Sequence, residues 1–152
     1  MKLSIGRVPF TLRASKKLYF LENLIRMKGK ITVGLFKRVM KGYEFTGDNS
    51  GKLNAILRDP SKAGDVLTYA SFNDATEFAR RLSLQTGRKF RVKTETEWLQ
   101  DKDQLAGNYW VCEKVEEKGG DYHYTSLPLA IRYFRYPDHR YSFDVARIVE
   151  DA

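Results

Sequence analysis

Cysteine is almost missing from this chain: Cys112 is the only one in 152 residues. An internal disulfide framework is therefore excluded, and so is a metal site built from cysteines alone. Histidine is nearly as scarce, with only His123 and His139. Two imidazoles and one carboxylate would suffice for an iron or zinc centre, but no spacing links these two. Neither a metal nor a cofactor is expected. There is no G-x-S-x-G elbow, no P-loop and no dinucleotide-binding glycine pattern. No apolar run approaches the roughly 20 residues of a membrane span. No apolar stretch follows Met1 and Lys2, so no secretory signal is visible and the expected compartment is the reducing cytoplasm.

Acid is the other scarcity, and it is local. Residues 1–41 carry eleven Lys and Arg against one acid, Glu22, whereas the rest of the chain carries sixteen against eighteen. The formal net charge of +8 is thus concentrated in the first third. Charge gathered in one segment points to a basic face that meets phosphates or another acidic surface. The plainer alternative is a set of solvated lysines that aid solubility. At 42% hydrophobic and 13% aromatic residues, the chain has the material for a core. We read residues 1–152 as a single domain.

The most strongly patterned stretch runs from Ser71 to Leu99. Ser71 and Asp74 form a capping box before an apolar stripe of Phe72, Ala75, Phe78, Ala79 and Leu82 at helical spacing. Gly87 suits the left-handed residue that ends a helix. Phe90, Arg91 and Val92 read as a short strand. Thr94 and Glu97 repeat the capping signature ahead of a second short helix anchored by Trp98.

On either side the signals are sparser. Leu3 to Leu12 reads as a strand bent near Gly6 and Pro9. Leu18 to Met27 reads as extended, broken at Asn23. Thr32 caps a helix with Leu35, Phe36, Val39 and Met40 inside, Lys37, Arg38 and Lys41 outside, and Gly42 at its end. Glu44 to Asp65 reads as a long surface loop, and Val66 to Tyr69 as a short strand. Strands are also expected at Val111–Val115, Tyr122–Ser126, Leu129–Phe134 and Tyr141–Val149. A hairpin turn at Lys118-Gly119-Gly120-Asp121 would join the first two.

The order of these motifs resembles the formylglycine-generating enzyme (sulfatase-modifying factor) family. S-F-N-D-A followed by T-G-R-K-F-R-V-K-T-E-T-E-W is similar to that family's central helix and its T-G-x-x-Y-R-L-P-T-E-A-E-W. Lys93 replaces the proline and Thr96 the alanine. Lys30-Ile31-Thr32-Val33 with Gly42-Tyr43, then Gly107-Asn108-Tyr109-Trp110-Val111-Cys112, and finally Arg132, Pro137-Asp138 and Arg147 extend the likeness over about residues 23–43 and 66–149. The resemblance implies an α+β chain of irregular C-type-lectin-like fold, with short helices packed on small antiparallel sheets. It also implies a pair of copper-binding cysteines in active members. Those positions fall near Gly119 and Tyr124, neither a thiol, so the oxidase chemistry is not expected here. Glu95 and Glu97 are accounted for by capping rather than acid–base work.

What is left is a basic and aromatic surface. The candidate polyanion-binding residues are Lys16, Lys17, Arg26, Lys28, Lys30, Lys37, Arg38, Lys41, Arg135 and Arg140. The stretch from Arg132 to Tyr141 interleaves cations with rings that suit phosphates and unpaired bases. Arg132 and Arg147 read as structural by their spacing, which leaves Arg135 and Arg140 as the cations free to bind. The expected function is a non-catalytic binding module for RNA or single-stranded DNA, with no membrane partner. The alternatives are an acidic-protein- or glycan-binding lectin-like module and a small metal-dependent oxidase.

Overall fold

The computed structural model describes residues 18–24, 29–94, 97, 108–116, 122–126, 133–135, 138–140, 144–146 and 148–151, the strands at 108–116, 122–126, 133–135 and 144–146 by their backbone alone. Residues 18–24 form helix α1, not an extended segment. Phe20, Asn23 and Leu24 are buried, which is the i, i+3, i+4 spacing of one helical face. Asn23 does not break the helix. It lies on the buried face, where its Oδ1 accepts a hydrogen bond from Thr32 Oγ1 at 3.3 Å.

Helix α2, Val33–Val39, starts at Thr32, whose hydroxyl accepts from Leu35 N–H at 3.3 Å. Its earlier open donors are met from another segment: Val33 N–H donates to Asp65 O and Gly34 N–H to Ala63 O, both at 2.9 Å. Leu35, Phe36, Val39 and Met40 are buried while Lys37, Arg38 and Lys41 are exposed, in agreement with the sequence pattern. The expected strand at 66–69 is reduced to an isolated antiparallel bridge between Thr32 and Val66.

The long loop expected at 44–65 instead holds helix α3, Ser50–Arg58, and a 3₁₀ turn, Pro60–Lys62. Leu53 and Leu57 bury α3 against the core. Helix α4, Phe72–Thr86, carries both hydrogen bonds of the Ser71–Asp74 capping box and ends at Gly87 with φ 72°. Its stripe of Phe72, Ala75, Phe78, Ala79 and Leu82 is buried.

Strand β1, Phe90–Val92, pairs antiparallel with the last strand, Ile148–Glu150. Between them come β2 (Asn108–Glu116), β3 (Tyr122–Ser126), β4 (Tyr133–Arg135) and β5 (Asp144–Ala146), which makes the last strand β6. Their order across the second sheet is β4-β3-β2-β5. β2 and β3 run antiparallel with an irregularity between Trp110 and Lys114, and β5 joins β2 in parallel. The chain is thus α+β. Its core gathers Phe20, Ile31, Leu35, Phe36, Val39, Leu53, Leu67, Phe78, Leu82, Val92 and Ile148 from four helices, the loops between them and the β1–β6 pair. The expected N-terminal strand, the Lys118–Asp121 turn, Trp98, Arg132 and Arg147 lie outside the described residues.

Candidate polyanion-binding face

The ten cations singled out from the sequence do not share one fate. Lys16, Lys17, Arg26 and Lys28 lie outside the described residues, and Arg135 is placed by backbone only, in β4 opposite Tyr124. Lys30 is half-buried. Lys37, Arg38 and Lys41 stand exposed on the outer side of α2 and just past its end.

Arg140 corrects the expectation of a free cation. Its side chain is 5% exposed and pairs with Asp74, itself 2% exposed. Nε donates to Asp74 Oδ2 at 2.7 Å and Nη2 to Oδ1 at 3.0 Å. Nη1 donates to the carbonyls of Thr46, at 2.7 Å, and Asp48, at 2.8 Å. The backbone joins in: Arg140 N–H donates to Asp48 Oδ2, and Arg140 O accepts from Asn49 Nδ2. The guanidinium fork is consumed by the fold and has no room for a phosphate. Asp74 therefore has a second role that the capping pattern alone did not reveal.

Other arginines are also neutralised internally. Arg80 pairs with Glu77, and Arg88 with Glu150. Arg91 is held between Glu97, at 2.6 Å, and Asp151, at 2.9 Å. The hydrogen bonds from Arg91, aided by those from Thr94, hold the Glu97 carboxyl down at about 2, against the opposing effect of burial. Thr94 and Glu97 do make the two hydrogen bonds of a capping box, at 2.9 and 3.2 Å.

Among the described residues no ion pair involves Lys37, Arg38 or Lys41. Arg38 has an aromatic neighbour instead. The Arg38 guanidinium lies 4.3 Å from the centre of the Tyr19 ring on α1. Arg81, on α4, lies 5.2 Å from the Tyr43 ring centre and donates from Nη1 to Lys41 O at 3.2 Å. Gln85 Nε2 reaches Val39 O at 3.4 Å. Side chains of α4 thus satisfy carbonyls that the end of α2 leaves open. Lys37 and Arg38 lie in the last turn, where cations are favoured by the helix dipole. Sequence reading missed Tyr19, Tyr43 and Arg81. Nothing in the local pattern ties Arg81 to a carbonyl forty residues earlier.

Two clefts flank β1. One, of about 320 Å³, is bordered by Leu21, Leu24, Gly29, Phe90 and Ile148, with Arg88 and Glu150 among its charged neighbours. The other, of about 400 Å³, lies between α4 and β1 beside Ala79, Leu84 and Val92. Neither includes a residue of α2. His123 and Cys112 fall in β3 and β2, and His139 sits next to Arg140. No helix among the described residues is long and apolar enough to cross a membrane. No protein-family model, curated protein or solved structure matches the chain.

Proposed function

We propose that this chain is a non-catalytic binding module for a polyanion, RNA or single-stranded DNA first, held on the cationic side of α2. One contrast carries the reading. Arg80, Arg88, Arg91 and Arg140 are matched by carboxylates, whereas Lys37, Arg38 and Lys41 are exposed and unmatched among the described residues. Unmatched cations on a rigid element attract phosphates and release counterions when they bind them. The excess of Lys and Arg in residues 1–41 would extend the same field. A scaffold like that of the formylglycine-generating enzymes, and of C-type-lectin-like kind, belongs to this proposal. It is supported by the order of the sequence motifs. A cytoplasmic setting belongs to it too.

The test is binding to random-sequence RNA and DNA across a salt series, with the full chain and with a Lys37→Gln, Arg38→Gln, Lys41→Gln variant. Binding should weaken steeply with salt, and the variant should bind less tightly with a shallower slope. A partner that survives nuclease and high salt would instead favour a protein- or glycan-binding module.

A further inference from the structure

The rings around α2 bear on which polyanion fits, an inference that rests on the binding function proposed above. Two couples flank the end of this helix: Arg38 on Tyr19 and Arg81 on Tyr43. Tyr19 is 36% exposed. Tyr43 is braced from the core by a run of aromatic contacts. It meets Phe45 edge-on at 5.0 Å, Phe45 stacks on Phe36 at 5.5 Å, and Phe36 stacks on Phe78 at 5.7 Å. Phe36 and Phe78 are fully buried, so the platform under Arg81 is anchored in the interior.

A guanidinium laid against a ring is held in place there, and wherever its other face is exposed it can take a second ring while its N–H groups reach outward in its plane. Arg81 has five N–H donors, and among the described residues its only hydrogen bond is the one to Lys41 O. Its Nε, enclosed, has no acceptor. This differs from Arg140, whose fork is occupied by Asp74, Thr46 and Asp48. Neither Arg38 nor Arg81 is hydrogen-bonded to a carboxylate, although Glu77 Oε1 lies 3.9 Å from Arg81 Nε.

We propose that the Tyr19–Arg38 and Tyr43–Arg81 couples are stacking positions for unpaired bases, with Lys37 and Lys41 holding the adjoining phosphates. The ligand is then a single-stranded nucleic acid. A duplex buries its base faces against one another and offers these couples nothing but its phosphates.

The experiment uses the full chain at low salt with fluorescently labelled oligo-dT, oligo-rU and duplex DNA of equal length. At least one single strand should bind more tightly than the duplex. Tyr19→Leu should weaken single-strand binding by about 5- to 100-fold, the range expected for one stacked base, and leave duplex binding unchanged. Tyr19→Phe keeps the ring and should keep the affinity. Tyr43→Leu should act in the same direction, and melting temperatures will show that each variant is folded. Equal affinity for single strand and duplex would overturn the stacking inference. So would a Tyr19→Leu variant that loses neither affinity or loses both alike. Both of these results leave phosphate binding by α2 standing. If no polyanion binds even at low salt, the binding function itself falls, and the stacking positions with it.

Discussion

A buried guanidinium is tolerated only when each donor finds an acceptor, because taking it out of water costs several kcal/mol. At Arg140 all three guanidinium nitrogens donate, to Asp74 and to the carbonyls of Thr46 and Asp48, so four of the five N–H groups are matched. Removing it strands the Asp74 carboxylate, which is 2% exposed. Arg140→Ala should therefore lower stability by about 3–5 kcal/mol, seen as a lower midpoint in denaturant. Below that midpoint, nucleic-acid affinity should be unchanged. A loss of affinity in the folded variant would return Arg140 to the binding face. Glu97 gives a residue-scale prediction of a different kind. Its carboxyl is pulled from 4.5 to about 2 in the folded chain, so the charged form favours folding. That contribution is whole above the ordinary carboxylate range, declines below about 4.5 and is gone once the pH passes about 2. Stability measured against pH for the natural chain and Glu97→Gln should differ near neutrality and converge in acid. Parallel curves would mean that the Arg91–Glu97 pair has no part in acid sensitivity.

Among the elements, α2 is the one whose inner and outer sides separate most cleanly, and the Lys37→Gln, Arg38→Gln, Lys41→Gln variant exploits that. It leaves Leu35, Phe36 and Val39 in the core and removes one cation–π interaction, with Tyr19, worth about 0.5–1 kcal/mol. Stability should fall by no more than about that amount. The slope of affinity against salt should flatten by about one unit for each phosphate that is no longer neutralised. Unchanged affinity and slope would make this face an ordinary solvated surface. The elements also differ in how far the sequence betrays them. α2 and α4 were legible because each announces its start with a side-chain cap, at Thr32 and Ser71. α3 was not. Its first cap position, Asn49, adopts a left-handed conformation and makes no capping hydrogen bond from its side chain. The Asn49 amide is directed to Arg140 O, ninety-one residues away. What remained visible was Leu53, Ile56 and Leu57 at helical spacing inside a polar, glycine-containing stretch. α1 was missed for a related reason. Asn23 reads as a break until its partner, Thr32, is known. The exposure of Lys37, Arg38 and Lys41 followed from periodicity, but the rings and Arg81 beside them come together only through tertiary packing.

Across the whole molecule, late residues are fastened onto early ones at separate points. Arg140 ties to the 46–49 loop and to α4, and β6 pairs with β1. At a further point, Ile148 N–H donates to Gly29 O at 2.9 Å. Gly29 has φ +81°, and a Cβ there would fall 2.4 Å from Ile148 O, a backbone atom that cannot swing aside. Gly42 offers a matched control, with φ +85° and nothing within 4 Å of an added Cβ. An alanine at either site bears the strain of a left-handed backbone, about 1 kcal/mol. Only at Gly29 must it also push β6 away from the chain it docks on. Gly42→Ala should thus lower stability by about 1 kcal/mol, and Gly29→Ala by clearly more. The Gly29 variant should also speed amide exchange in β1 and β6, because the displaced strand carries that ladder with it. Equal losses in the two variants, with exchange in β1 and β6 unaltered, would show that Ile148 does not press on Gly29. The end of the chain would then be fastened by Arg140 and the β1–β6 ladder without this contact.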